Sequence, residues 1–497
     1  MNIPESIRET VAAGMMHARA GRIAEAVQSL QRALAIQEDP TTRLLLASLL
    51  PVVYISKDEV VQFRDRLMQY AAQMKMYPRL DLTNNWAVPL FHSAYQGYND
   101  RDLQKQWSEL FAVPRDAMLP GSVAGANGRR IKIGIISAYF KDHTIGLLNR
   151  GLVARLPRDR FSVTVFTTRR QTDYVVDYFR DHADAYVELP NQAAEARRMI
   201  SQQKPDVLYF TDLGMDPMTY TLAQTRYAPV QCTTWGHPVT SGLNTIDYFI
   251  STEALETENS KDHYTEQLVR LSRLAIYYYR PKQPVYAPIP QTYGLPPNAH
   301  YYGCPQSLYK MHPDFDPVLA AILRADPAGV LVLLKPAQME WQQRLTDRFV
   351  RTMPDVFNRI IWVPRQNREG FLGLLRLLHV SLDPLHFGGG NTSYESLAMG
   401  TPVVTMPMDT MRSRLTHAMY QQMNYPDMSV QSPDDYVRTA LRLGTDAVYL
   451  ASVRSRILES CSVLFEDQHA VDELGNFFIE AVGKARQRMT PQEKPLL

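Results

Sequence analysis

Apolar positions along this chain fall into two regimes. Over residues 5–38 they recur at helical spacing: Ala13, Met16 and Ala20 share one face, Gly21 breaks it, and Ala26, Val27, Leu30, Ala33 and Leu34 resume it. That period predicts two short helices, with more helix at 42–50 and 57–75. From residue 131 onward, short apolar runs alternate with helical segments instead. IKIGIIS (131–137), FSVTVFTT (161–168), DVLYFTD (206–212) and PVQCTTWG (229–236) predict strands, with helices at 145–156 and 194–204. A second series predicts strands at 301–306, 329–335, 359–364, 380–383 and 403–406. Its helices are expected at 312–325, 341–350, 371–379 and 393–399, with late helices at 435–444, 448–460 and 469–487. Strands alternating with helices predict parallel, doubly wound α/β sheets.

The expected organisation is a helical region (1–118), a first Rossmann-like lobe (129–285), a second Rossmann-like lobe (286–470) and a closing helix (471–497), the two lobes meeting at a cleft. The glycine/serine stretch 119–128 is the expected linker. The Pro- and Tyr-rich segment 255–300 is the expected interdomain crossing. Small residues at Ala26 and Ala33, with Gly21 at the turn and Pro40 beyond, resemble one tetratricopeptide repeat; an ordinary helical hairpin is the other reading. A single repeat cannot bury its own apolar face, so it must pack on neighbouring elements.

Composition narrows the class. The chain has 497 residues, 45% hydrophobic and 21% charged, enough for two or three globular domains. A net charge of +2 with no Lys/Arg run gives no case for nucleic acid. Cys232, Cys304 and Cys461 are widely spaced and form no CxxC, which argues against a zinc ribbon or a disulfide framework and fits a reducing compartment. The first residues show no basic-then-apolar leader, and no apolar run approaches the roughly 18 residues of a membrane span. A cytoplasmic protein without membrane insertion is expected.

The chemistry concentrates in 382–407, LDPLHFGGGNTSYESLAMGTPVVTMP. An apolar strand runs into Gly388, Gly389 and Gly390, followed by the capping types Asn391 and Thr392 and a helical segment. Strand, glycine turn and helix N-terminus form a phosphate-binding geometry, because glycine lets the backbone come close and unpaired N–H groups face the anion. Glu395, one turn into the helix, can accept from ribose hydroxyls. The stretch is neither a GxxxxGK[ST] loop nor a GxGxxG fingerprint. Tight strand–helix packing alone is the competing explanation for the glycines.

Four motifs in order resemble the O-linked N-acetylglucosamine transferases, family 41 of the glycosyltransferases. They are SAYFKDH (137–143), APVQCTTWGHPVTSGLNTIDYFIS (228–251), SLYKMHPD (307–314) and the glycine stretch. With SPDDYVRTALRLGTD (432–446), the resemblance covers about residues 130–445. It implies the two-lobed GT-B fold, a nucleotide-sugar donor, inversion at the anomeric carbon, and no metal or other cofactor. It also implies a protein or peptide acceptor.

Residue by residue, the resemblance makes Lys310 the cation on the departing diphosphate, with Gly389, Gly390, Asn391 and Thr392 contacting the same group. Glu395 stands where the family has a ribose-binding aspartate. Gln366, Arg368 and Phe371 follow the strand at 359–364, where relatives bind the base. Phenylalanine there can stack on uracil or simply join a helix core. His143 is expected in the active site, against a purely structural histidine. His237, Thr240 and Ser241 fall on the acceptor or sugar side. Asp212, ending a strand, can take the acceptor proton. Lys335, at the next strand end, can assist Lys310 or be solvated.

Asp314 and Asp316 form a DxD that reads as helix-capping carboxylates rather than a metal pair. His379 and His386 are expected to lack partners at ligand spacing, so no metal site is expected. The function read here is transfer of N-acetylglucosamine from its UDP donor to Ser or Thr of proteins. Open beside it are a GDP-fucose or UDP-glucose donor, and a catalytically inactive helical-repeat adaptor.

Overall fold

The computed structural model describes residues 5–83, 85–113 and 130–489; the expected linker 119–128 lies outside them. The chain divides into two units, and neither is continuous. Unit 1 comprises Met1–Tyr70, His92–Tyr98 and Arg280–Leu464; unit 2 comprises Ala71–Phe91, Asn99–Tyr279 and Phe465–Leu497. The expected boundary at 285 thus falls after Tyr279, and the closing helix joins unit 2 from Phe465 onward. The expected single helical region is shared out: 92–98 goes to unit 1, while 71–91 and 99–113 go to unit 2.

Unit 2 is built on seven parallel strands. Their order is Ala185–Glu188, Phe161–Thr167, Ile131–Ser137, Val207–Phe210, Val230–Thr234, Tyr248–Thr252, Gln267–Leu271. Helices cover both faces of such a sheet, so its inner strands read as unbroken apolar runs; Ile135, Val165, Val207 and Phe249 are buried. Three strands were not expected. Ala185–Glu188 and Gln267–Leu271 are edge strands, the first half-buried throughout and the second of mixed burial, and the second lies inside the supposed crossing. Tyr248–Thr252 is buried but only five residues long. The helix Gln468–Met489 sets Phe477 against Tyr248 and Phe478 against Tyr209, with ring centroids 5.3 and 5.8 Å apart.

Unit 1 holds a five-stranded parallel sheet in the order Ile360–Val363, Gly329–Leu334, His300–Cys304, Val380–Leu382, Val403–Val404. Four helices precede it: Glu5–Arg19, Ile23–Ile36, Pro40–Ser48 and Lys57–Met74, the last crossing the boundary at Tyr70. The face expected of Ile23–Ile36 is the buried one, with Ala26, Leu30 and Ala33 inside. Of the face expected at the first helix, Ala20 is buried but Met16 is 67% exposed, and Val11 and Ala18 pack on the cluster of Ala26, Leu30 and Leu49. The reason is that the hairpin partner, not the local period, selects the stripe.

Arg348, fully buried, ties the helical start to the sheet. Its guanidinium donates to Tyr54 O at 2.7 Å and Met311 O at 2.9 Å, and pairs with Asp316 at 2.9 Å.

Candidate active site

In each sheet the strand order reverses beside the first strand of the series. Loops leaving the two strands that flank such a reversal are where doubly wound sheets bind ligands. In unit 1 those strands are His300–Cys304 and Val380–Leu382, which pair directly. Lys310 follows the first and the three glycines follow the second. In unit 2 they are Ile131–Ser137 and Val207–Phe210, which lead to His143 and Asp212.

Lys310 ends a short 3₁₀ turn, Leu308–Lys310. Its Nζ donates to Gly388 O at 2.7 Å and Gln306 Oε1 at 3.1 Å, and lies 4.7 Å from the Phe387 ring centroid. Phe387 stacks on Tyr95 at 4.7 Å, and Tyr95 meets Tyr309 at 4.5 Å. Burial lowers the Lys310 pKa to about 8, opposed by the charges of Asp383 and Cys304. The ammonium is therefore mostly charged at neutral pH and poorly compensated, a cation that gains from an arriving anion.

Asp383 shapes the glycine turn from below. Its Oδ1 accepts the Gly389 N–H at 2.6 Å, its Oδ2 accepts the Thr405 hydroxyl at 2.8 Å, and its carbonyl accepts from Tyr436 at 3.0 Å. Burial raises the pKa of this carboxyl. A Cβ on Gly388 would sit 2.6 Å from Asp383 Oδ2. One on Gly389 would sit 2.4 Å from Ser393 Oγ and 2.8 Å from Gln306 Nε2. At Gly390 the nearest such atom is Leu415 Cδ1 at 3.9 Å. Two of the three glycines are thus forced by packing, and the third leaves open space.

The helix runs Asn391–Ala398 with Gly390 as N-cap and no side-chain cap bond. This corrects the expected start at 393: Asn391 and Thr392 lie inside the first turn. Ser393 and Tyr394 N–H groups close on Gly390 O at 3.0 and 3.2 Å, so the amides before them precede the first intrahelical bond. The positive end of the helix is left without a capping side chain beside Lys310's loop.

Glu395 is buried on this helix and pairs with Arg368 at 3.4 Å, joining it to the helix Arg368–Leu377. Phe371, on that helix, is half-buried rather than core. Gln366 is half-buried too and donates to Pro364 O at 2.8 Å. Lys335 is exposed.

In unit 2, Asp212 is 2% exposed; its Oδ1 accepts from Thr211 at 2.8 Å and its Oδ2 has no partner among the described residues. Burial raises its pKa to about 7. Gly236 lets the loop of His237 press on this turn, since a Cβ there would sit 2.0 Å from Thr211 O. His237 is buried and stacks on Phe91 at 5.3 Å. His143 caps the helix Thr144–Arg155, its Nδ1 accepting from Ile145 N–H at 3.2 Å. Burial, with Lys141 and Arg169 nearby, lowers its pKa to about 4. It is a neutral imidazole at pH 7 with its proton on Nε2, a donor rather than a base. Thr240 donates to Glu266 Oε2 at 2.6 Å, and Ser241 donates to Glu266 Oε1 through its N–H (2.8 Å) and hydroxyl. Both hydroxyls are committed to pinning a loop.

The DxD carboxylates diverge: Asp316 faces Arg348, while Asp314 accepts from His386 Nε2 at 2.9 Å. The expectation that His386 lacks partners is therefore wrong. His312, Asp314 and His386 bring ligand atoms within 4.8 Å of one another, across a sequence gap that no spacing rule spans. His379 is structural, its Nδ1 accepting from Tyr301 N–H at 3.0 Å. Sequence reasoning also passed over Gln306, Asp383, Phe387 and Tyr95. Only Asp383, at a strand end before the glycines, carried a readable signal.

An O-GlcNAc transferase variant from Thermobaculum terrenum superposes with a TM-score of 0.78 at 22% identity, covering 98% of this chain and 92% of that one. The fold is GT-B, the two-unit fold of nucleotide-sugar transferases, as expected. Residues 280–474 match the family described as Glycosyl transferase family 41. Several curated relatives bear the name "Probable UDP-N-acetylglucosamine--peptide N-acetylglucosaminyltransferase SPINDLY". That of Solanum lycopersicum is 26% identical over 67% of this chain, and that of Arabidopsis thaliana 27% over 66%. The chain spans 36% of the length of either.

Proposed function

We propose that the protein transfers N-acetylglucosamine from UDP-N-acetylglucosamine to Ser or Thr hydroxyls of proteins, with inversion. The observation that carries this is Lys310: a half-buried ammonium fixed over the glycine turn beside an uncapped helix N-terminus. As the acceptor oxygen bonds to the anomeric carbon, the bond from that carbon to the β-phosphate oxygen breaks. Negative charge grows on the leaving UDP, where Lys310 and the first-turn amides of Asn391 and Thr392 stabilise it. Positive charge from these groups makes a metal unnecessary in this step. Glu395 binds the ribose, and Gln366, Arg368 and Phe371 hold the base. The names of the curated relatives support the donor and the peptide acceptor. No helix among the described residues is long and apolar enough to cross a membrane.

Calorimetric titration with UDP and with GDP, EDTA present, tests the donor. UDP alone should bind. GDP alone would replace the donor by a GDP-sugar, and binding of neither by folded protein would overturn the enzyme reading.

Nucleotide binding should also depend on pH. A bound diphosphate raises the Lys310 pKa above its free value of about 8. Affinity is then full below pH 8 and falls by about tenfold per pH unit as pH rises through that value. In the empty protein the sign is reversed for folding: charged Lys310 costs stability below about pH 8, and the cost lapses toward its unfolded value of 10.5. Titrations of UDP at several pH values check this. A flat profile in the wild type sinks the assignment.

A further inference from the structure

We propose that His312, Asp314 and His386 form a binding site for a divalent transition-metal ion, Zn²⁺ by preference, that staples the Lys310 loop to the glycine-turn loop. The site is distinct from the proposed transfer step, because none of its ligands is a group assigned to the diphosphate.

The donor set is two imidazoles and one carboxylate, their ligand atoms all within 4.8 Å of one another. A tetrahedral Zn²⁺ with bonds of about 2.0–2.2 Å needs its ligand atoms about 3.4 Å apart, so a small inward adjustment closes the site. His386 Nε2 is already 2.9 Å from Asp314 Oδ2, and His312 Nδ1 is 3.5 Å from the same oxygen. The His312 and His386 rings lie 4.3 Å apart, edge to face. His312 is 5% exposed, and its Nδ1 accepts the Asp314 N–H at 3.2 Å, a bond that an ion on Nδ1 would replace. Three rigid attachments hold the set. His312 N–H bonds to Lys310 O at 2.9 Å, Pro313 follows His312, and Gly97 packs against the His386 ring, where a Cβ would sit 2.9 Å from Cγ.

Asp314 supplies the one carboxylate of the set, its Oδ2 accepting from His386 Nε2 at 2.9 Å. Opposing a cation is Lys57, 3.4 Å from Asp314 Oδ1; its side chain is 71% exposed and free to swing into solvent. Arg348 is the other cation near His312, and it is engaged by Asp316. Imidazole and carboxylate donors with one position left for water favour Zn²⁺ or Co²⁺ over Mg²⁺ or Ca²⁺.

The test uses the full chain, stripped with EDTA and exchanged into chelator-free buffer, then titrated with Co²⁺ while the visible d–d absorption is followed. One ion per chain with a band typical of low coordination number is expected, displaced by Zn²⁺. His386→Asn keeps a residue that tolerates the positive φ of 73° at this position, and Asp314→Asn keeps the shape. Each should weaken uptake by about a hundredfold and abolish the rise in melting temperature that Zn²⁺ gives the wild type. Lys57→Ala, an exposed position, should tighten binding. No uptake by the wild type, uptake unchanged in both Asn variants, or a Lys57→Ala affinity no higher than wild type would each overturn the proposal.

Discussion

With Lys310 replaced by alanine, donor turnover should fall by about 10²–10³-fold while the protein stays folded, because preorganised charge on a leaving group commonly supplies about 3–4 kcal/mol. The fold should survive for a reason visible in the same residue. Burial already lowers the Lys310 pKa to about 8, so the charged lysine strains the native state. Its removal gives back that cost and leaves Gly388 O and Gln306 Oε1 without their donor. The two contributions nearly cancel, within roughly 1–2 kcal/mol. Nucleotide affinity should drop as well, and the pH limb of binding should vanish. Steady-state turnover of UDP-N-acetylglucosamine, with thermal unfolding as the control, decides it. Turnover within a few-fold of wild type would remove Lys310 from the chemistry, and with it the main support for the proposed reaction.

The largest expected loss of stability comes from Arg348→Met. The side chain is fully buried, and its partners Asp316, Tyr54 O and Met311 O all depend on it. Removing one member of a buried pair leaves an uncompensated charge, at a cost of about 3–5 kcal/mol. For a unit of this size the melting transition of unit 1 should fall by on the order of 10 °C, with the transition of unit 2 unmoved. Adding Asp316→Leu should recover part of the loss, since apolar replacement of a whole buried pair is often nearly neutral. Because Met311 follows Lys310 directly, turnover should decline in the single variant even well below its melting point. A calorimetric shift under about 2 °C would mean that the pair is not the anchor inferred here.

How much of this was readable beforehand depends on the range of each interaction. The glycine turn was legible because three glycines followed by a helical period constrain the backbone locally. Even so, the cap was misassigned: Asn391 and Thr392 have capping chemistry, but the turn carries the chain one step further, so Gly390 takes the position. Lys310 was found through its motif, whereas Gln306 and Tyr95, which support it, belong to no local pattern. The edge strand Gln267–Leu271 was lost among prolines and tyrosines because neither of its faces is consistently buried, Leu271 alone being fully inside, so no alternation marks it. His386 and Asp314 are separated by 72 positions, and no rule of spacing anticipates a meeting made by the fold. Thr240 and Ser241 were read from a motif as ligand contacts, and Glu266, the carboxylate that occupies them, lies 25 residues downstream of Ser241.

Unit 2 has a further property that concerns its making. Its helix Gln468–Met489 is separated from its seven strands by the whole of 280–464, which belongs to unit 1. On the ribosome, those strands emerge well before Phe477 and Phe478 exist to lie against Tyr248 and Tyr209. At about 5–20 residues per second, the delay is on the order of ten seconds or more. For that interval an apolar face of the nascent sheet is uncovered, a natural substrate for chaperones. No single cut through the gene isolates this unit, because 1–70, 92–98 and 280–464 all belong to the other one.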